Sequence, residues 1–232
     1  MVELVVFSTI GVRSAAEQLF AQYDKASGHK LAVTWGTAPM LVKRIEDGDT
    51  ADVVILSRAG IDALNKLGKI APGTDTTLAS SGVGIAVKVG APKPDISTPE
   101  ALKRTLLAAK SIAYSEPSAG GASGVYFAKL LERMGIAEEM KSKTKYPPPG
   151  GFCANLLMSG EAELAVQQKP ELLHVAGAEV IGLLPGDLNV ITEFAVAIMA
   201  GCKNADMASA LIKSLRSSEA VAVFRAKGLD PT

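Results

Sequence analysis

Apolar residues near the start of the chain first follow one another and then recur at wider spacing. Val5–Phe7 is a short apolar run, typical of a buried strand. From Ala15 to Tyr23, apolar residues recur every third or fourth position, as on one face of a helix. Gly11 lies between the two patterns and permits a tight turn. The pattern predicts a strand, a short turn and an amphipathic helix.

The same order of strand, turn and helix recurs along the chain. Lys30–Trp35 predicts a second strand before a helix, and Asp52–Leu56 predicts a third before the helix Gly60–Leu67. Strands alternating with helices are typical of an α/β fold. Later strands are predicted at Ser80–Lys88, Lys110–Tyr114, Glu163–Gln167, Val180–Leu184 and Ile191–Met199.

Two long apolar strands are candidates for crossings between two lobes. The first, Ser80–Lys88, is followed by the proline-rich break 90–97, and the second is Ile191–Met199. We therefore expect one lobe over residues 1–81 and 193–232 and another over residues 82–192, with a ligand cleft between them.

A hydroxyl residue follows each of the first three predicted strands, and an arginine follows the first and the third. In an open α/β sheet, ligands bind beyond the carboxyl ends of the strands. The unpaired N–H groups of the helix starts attract anions there. The alternative for Ser8 and Thr9 is that they only cap the first helix. The candidate ligand-binding residues at this edge are Ser8, Thr9, Arg13, Thr37, Ala38, Ser57 and Arg58.

The segment 115–124, SEPSAGGASG, is a second candidate site. A loop rich in glycine and serine before a helix brings backbone N–H groups close to a ligand. It lacks the Gly-Lys-Ser/Thr ending of a P-loop and the GxGxxG spacing of dinucleotide sites, which argues against nucleotides. The candidates here are Ser118, Ala119, Gly120 and Gly121, together with Gln167 and Gln168 at a later strand end.

Composition and residue spacing argue against several classes of function. Lys plus Arg and Asp plus Glu each number 24 in 232 residues, so the basic footprint of nucleic-acid binding is absent. No apolar run approaches the length of a membrane span. Neither Cys153 with Cys202 nor His29 with His174 has metal-ligand spacing, so we expect no metal and no cofactor. Whether the cysteines form a disulfide depends on the compartment and stays open.

The first residues contain no basic and apolar segments of a signal peptide. We expect a periplasmic protein whose signal peptide was removed, and a cytoplasmic location stays open.

Five features of the chain resemble the periplasmic molybdate-binding proteins: the first strand and helix, the GTAP turn at 36–39, ADVVILS at 51–57, the 115–124 loop and SSEAVAVFRAKGL at 217–229. These are solute receptors of ABC transporters. The resemblance implies a type II periplasmic-binding-protein fold, with a mixed sheet in each lobe and an oxyanion held by serine hydroxyls and backbone N–H groups. By position, Ser8 and Thr37 resemble the two serines, and Ala119 with its neighbours resembles the donors of the second lobe.

The chain departs from that family in ways that change the expected ligand. Thr37-Ala38 replaces a pair of serines, and the tyrosine region is here Val166–Gln168. Arg13 and Arg58 could form charge-assisted bonds with carboxylates. Two such arginines favour an organic carboxylate over a bare oxyanion.

Two functions follow from these residues. The favoured one is a monomeric receptor that delivers a small anion to the membrane component of an ABC transporter. The alternative is an enzyme related to the family, aconitate isomerase, which moves a proton between two carbons of a tricarboxylate. In that case Arg13, Arg58 and Lys169 could hold carboxylates, and Glu116, or less plausibly His174, would be the base. Glu116 could equally cap its loop.

Overall fold

The computed structural model describes residues 3–232, which form two compact units. The first unit extends up to Ser80 and includes Thr192–Thr232, and the second comprises Ser81–Ile191. Each is described by itself below.

The first unit is built on a six-stranded mixed sheet in the order β11-β4-β10-β3-β1-β2. Its strands are β1 (Glu3–Thr9), β2 (Lys30–Gly36), β3 (Val53–Ser57), β4 (Thr76–Ser81), β10 (Thr192–Ile198) and β11 (Asp230–Pro231). Its helices are α1 (Arg13–Ser27), α2 (Ala38–Glu46), α3 (Arg58–Lys66), α9 (Ala205–Leu215) and α10 (Ser218–Ala226). A 3₁₀ turn, Ile10–Val12, joins β1 to α1.

The second unit contains a five-stranded mixed sheet in the order β7-β6-β8-β5-β9. Its strands are β5 (Val83–Lys88), β6 (Ile112–Tyr114), β7 (Thr144–Lys145), β8 (Leu164–Gln168) and β9 (Ala178–Leu183). Its helices are α4 (Pro99–Ala108), α5 (Ala122–Arg133), α6 (Ala137–Lys141), α7 (Asn155–Met158) and α8 (Lys169–Leu173). Thr98 caps α4 by accepting from the N–H of Ala101, and Pro99 follows at the first helical position, where proline is favoured.

Both faces of the first sheet are buried, which explains its unbroken apolar strands. Val53 and Ile55 of β3 pack on the face that carries α1, α9 and α10. Val54 and Leu56, one position along, pack on the opposite face with α2 and α3. Because side chains alternate across a strand, a sheet covered on both faces needs apolar residues at every position.

One predicted strand is wrong. The apolar stretch Ser80–Lys88 is not continuous, because β4 ends at Ser81 and β5 begins at Val83 in the other sheet. Gly82 lies at this break, where a Cβ atom would approach the Asn189 side chain to 2.7 Å. The oxygen of that side chain also accepts a 3.1 Å hydrogen bond from the N–H of Val83. The sequence predicted a crossing between lobes in this stretch but not the interruption of the strand at Gly82.

Gly11 illustrates how closely the first unit is packed at the start of α1. A Cβ atom on Gly11 would lie 2.6 Å from the ring atom Cζ of Phe194, which is itself buried in β10. We expect Gly11→Ala to lower the free energy of unfolding by about 1–3 kcal/mol, because the ring must move within a packed core.

The matched control for Gly11→Ala is Gly201→Ala. No atom lies within 4 Å of a Cβ at Gly201, and its φ is not positive. Urea unfolding of both variants measures the difference. Equal midpoints for the two variants would contradict the close packing at Gly11.

Candidate functional site

The strand ends of the first unit meet at one edge of the sheet. Strand β1 is parallel to both β2 and β3, with Thr9 opposite Gly36 and Ser8 opposite Ile55. Thr37 follows the end of β2, and Ser57 ends β3. The polar residues that follow these three strands therefore lie at the same edge.

Ser8 and Thr9 do not cap the first helix with their side chains. The 3₁₀ turn that begins after Thr9 has no side-chain cap, and α1 has none either. Ser8 is fully buried, and its hydroxyl donates a long hydrogen bond of 3.4 Å to the carbonyl oxygen of Thr9. The capping interpretation of this pair is thus wrong.

Capping is instead the role of the hydroxyls at the next two strand ends. Thr37 Oγ1 accepts from the N–H of Met40, and Ser57 Oγ accepts from the N–H of Gly60, both at 3.4 Å. The hydroxyl of Ser57 also has a hydrogen that it can donate. Ala38, the buried first residue of α2, follows directly. The positive ends of α2 and α3 lie at this edge, which favours negative charge there.

Both arginines of the predicted set have partners within the first unit. Arg13 pairs with Glu17 at 2.7 Å, one turn along α1. Arg58 donates to the Asp75 carboxylate and to the Thr77 hydroxyl, each at 2.8 Å. Their charges are compensated locally, and a ligand contact from either arginine stays a prediction.

The glycine- and serine-rich segment forms a tight turn before α5. A 3₁₀ turn, Pro117–Ala119, ends at Gly120 with a φ of +72°. Ser118 is exposed and Ala119 partly buried. Gly121 precedes α5 with no side-chain cap, so the amides of that first turn have no side-chain acceptor from their N-cap. Glu116 is exposed, and its side chain does not cap the 3₁₀ turn.

Gln167 is fully buried, and its amide group connects three segments. Its oxygen accepts from the N–H of Cys153 at 2.8 Å. Its nitrogen donates to Ser115 Oγ at 3.3 Å and to the carbonyl oxygen of Gly151 at 3.2 Å. The side chain predicted to contact a ligand therefore holds two loops together.

Gln168 begins α8 in a capping box with Glu171. Glu171 is 6% exposed, and one of its carboxyl oxygens accepts from the N–H of Gln168 at 3.2 Å. Burial raises the pKa of Glu171 to about 8, against the smaller lowering effect of the Gln168 N–H. This carboxyl group is therefore largely protonated at neutral pH.

The structure groups the predicted residues within each unit. In the second unit, β6 and β8 are parallel, with Tyr114 opposite Val166, so Ser115 and Gln167 follow at one edge. Lys169 is the first residue of α8, and the ring of His174 lies 4.4 Å from that of Phe152. The shared ligand cleft stays a prediction.

Ser115 and Ser123 lie in the segment 115–124 that the sequence pointed to, although neither was among its named candidates. Glu171, in α8, was not singled out, and it could have been found because Gln168 and Glu171 have the spacing of a capping box.

Within residues 3–232, no three His, Cys, Asp or Glu side chains are grouped as metal ligands. Cys153 and Cys202 are both free thiols. Of the described helices, none has the length and apolar character to cross a membrane.

Sequence comparison places these features in a known context. Residues 4–230 match the family model described as bacterial extracellular solute-binding protein. The chain is 33% identical to an aconitate isomerase of Pseudomonas sp, over 98% of this chain and 87% of that protein. It is 23% identical to the molybdate-binding protein ModA of Escherichia coli K12, over 97% and 88% of the two chains.

Solved structures show the same fold. The periplasmic molybdate-binding protein of Azotobacter vinelandii superposes with a TM-score of 0.79 at 19% identity, covering 97% of this chain and 98% of that one. The sulfate-binding protein SubI of Mycobacterium tuberculosis gives 0.81 at 16% identity, covering 100% and 88%. The predicted type II periplasmic-binding-protein fold, with its two mixed sheets, is confirmed.

The raised pKa of Glu171 predicts how stability depends on pH. Above about pH 4.5 the unfolded chain loses this proton, while the folded chain keeps it until about pH 8. The contribution of Glu171 to stability therefore falls as pH rises from about 5 to 8. We expect Glu171→Gln, which keeps an acceptor for the Gln168 N–H, to gain stability over wild type across that range.

Chemical unfolding of wild type and Glu171→Gln at pH 5, 6.5 and 8 measures this difference. The exposed residue Glu132, replaced by Gln, is the control and should follow wild type. A difference between Glu171→Gln and wild type that does not change with pH would contradict a raised pKa at Glu171.

Proposed function

Because the chain belongs to the family of bacterial extracellular solute-binding proteins, we propose that it is a receptor for a small organic carboxylate anion. The observation that carries this proposal is the edge of the first sheet, where hydroxyls and helix starts converge. Thr37 and Ser57 cap two helices there, and Ser8 lies one residue before the end of β1, the strand between β2 and β3. Such donors bind anions without any need for a cation.

The choice of a carboxylate rests on the relatives rather than on the arginines. Arg13 and Arg58 have carboxylate partners of their own, so they do not by themselves favour an organic anion. The relative at 33% identity is named for a tricarboxylate, whereas the molybdate-binding relative is 23% identical. We extend the proposal to a periplasmic monomer that delivers its ligand to an ABC transporter.

A second candidate function is supported by that same relative. An aconitate isomerase removes a proton from one carbon of its substrate and returns a proton to another, and this needs a base near the substrate. Glu116 is the candidate, because its exposed carboxylate lies on the loop that leads to the first turn of α5. The isomerase proposal adds turnover to the carboxylate binding proposed above.

Anion binding is tested by thermal unfolding with trans-aconitate, tricarballylate, molybdate and sulfate. A ligand that binds only the folded chain, at 100 times its Kd, adds about 2.7 kcal/mol and raises the melting temperature. We expect the tricarboxylates to raise it more than the two inorganic oxyanions. No shift with any of the four anions would contradict the receptor proposal.

Turnover is tested by following the conversion of trans-aconitate to its cis isomer by NMR. If the chain is an isomerase, Glu116→Gln is expected to reduce turnover at least about 100-fold while trans-aconitate still binds, since a general base contributes about 10²–10⁴-fold. Glu132→Gln, another exposed glutamate of the second unit, is the control and should retain full activity. Turnover by Glu116→Gln at the wild-type rate would exclude Glu116 as the base.

A further inference from the structure

A cavity of about 530 Å³ lies at the amino end of β8 in the second unit. Three parts of the chain form its walls: the proline-rich segment 91–95, the helix α4 with Ala109 after it, and Glu163 and Leu164 at the start of β8. Small-molecule sites are typically clefts of about 300–1,000 Å³. The cavity is therefore large enough for a small organic ligand.

This cavity is separate from the candidate ligand-binding residues of the second unit. Leu164 in its wall is the first residue of β8, whereas Gln168, at the opposite end, is the last. A strand rises about 3.3 Å per residue, so these two ends are about 13 Å apart. A small ligand in the cavity does not reach the strand end that carries Gln168.

Most of the wall is apolar and built from small side chains. Seven of the eleven lining residues are alanine, proline or leucine. Ala101 and Ala108 are seven residues apart in α4, so they lie on the same side of the helix, two turns apart. Larger side chains at these positions would extend into the cavity. The apolar surface favours a hydrophobic ligand, because binding removes that surface from water.

Hydrogen bonds hold the walls in place without a ligand. Thr105 Oγ1 donates to the carbonyl oxygen of Asp95 at 2.7 Å, which joins α4 to the segment 91–95. One carboxylate oxygen of Glu163 accepts from the N–H of Lys110 at 2.9 Å, which joins the start of β8 to the residues after α4. Because the cavity is already formed, a ligand does not have to order its walls on binding.

Arg104 is the cationic side chain of the wall. Within residues 3–232, its guanidinium group makes no hydrogen bond and no ion pair. Ser97 donates two hydrogen bonds to Asp95, which lower the pKa of that carboxyl group, and the nearby charge of Arg104 adds a smaller lowering effect. The carboxylates of Asp95 and Glu163 thus have donors of their own. The exposed Arg104 has N–H groups in the fork that matches a further carboxylate.

We propose that the cavity beside α4 is a second binding site, for a small hydrophobic molecule that carries one carboxylate group. The apolar walls cover its hydrocarbon part, and Arg104 pairs with its carboxylate. This inference goes beyond the proposed function and does not depend on it, because the cavity lies at the other end of β8.

The test is isothermal titration calorimetry with 2-naphthoate, an aromatic monocarboxylate, and with its neutral amide, 2-naphthamide. We expect 2-naphthoate to bind wild type with one-to-one stoichiometry, and an excess of trans-aconitate not to displace it. Arg104→Gln should weaken 2-naphthoate binding about three- to tenfold, because a partly exposed ion pair is lost, and leave the amide unchanged. Arg225→Gln, at an exposed arginine of α10, is the control.

Ala108→Trp tests the place of binding. The larger side chain occupies the cavity, so we expect neither probe to bind. Because Ala108 is exposed, the variant should melt close to the wild-type temperature. Ala210→Trp, at an exposed alanine of α9, is the control and should bind both probes as wild type does.

Three results would overturn the site: no binding of 2-naphthoate by wild type, wild-type affinity in Ala108→Trp, or displacement by trans-aconitate. Equal affinity of wild type and Arg104→Gln for 2-naphthoate would overturn the pairing with a carboxylate. Absence of any effect of trans-aconitate on the melting temperature would instead contradict the proposed function and leave this site untouched.

Discussion

Hydrogen-bond donors that the helices cannot use themselves are the constraint on which the candidate sites depend. The first N–H groups of a helix have no acceptor within it, so each helix start needs a side chain, water or a ligand. In the first unit, β1, β2 and β3 run parallel, and a helix or 3₁₀ turn begins directly after each. The topology therefore collects such donors at one edge, where Thr37 and Ser57 each accept from the N–H three residues further on.

The second unit meets the same constraint by a different arrangement. A glycine rather than a hydroxyl residue precedes α5. The loop before this glycine is anchored at Ser115, whose hydroxyl accepts a hydrogen bond from the buried side-chain amide of Gln167. The oxygen and nitrogen of Gln167 make hydrogen bonds to two separate loops, so the loops after β6 and before α7 have a common anchor. Such a buried amide is stable only because each of its polar atoms has a partner.

Close packing at glycine is the second requirement of these sites. Gly11 accommodates the ring of Phe194 at the start of the first unit's helix layer, and Gly124 accommodates the carbonyl of Ser115. In both cases the side chain is absent because another group occupies its space, not because the backbone is left-handed. The starts of α1 and α5 can therefore approach the strands more closely than other residues would allow.

The sequence by itself determined the order of elements, the strand ends and the positions of most helix starts. Apolar runs and helical spacing are local signals, and hydroxyls at Thr37, Ser57 and Thr98 cap helices through bonds that span only three residues. The resemblance to molybdate-binding proteins added the fold, which the solved structures confirm. The sequence predicted one continuous strand over Ser80–Lys88 and missed its interruption at Gly82.

Only the tertiary structure decided which polar side chains have partners. Gln167 and Ser115 are hydrogen-bonded but lie 52 residues apart, and no pattern along the chain relates them. The ion pair of Arg58 with Asp75 and the burial of Gln167 likewise depend on which surfaces the folded chain brings together or covers. Hydrogen-bond satisfaction and burial are properties of neighbours in space, so sequence could propose the donors but not say which of them are already used.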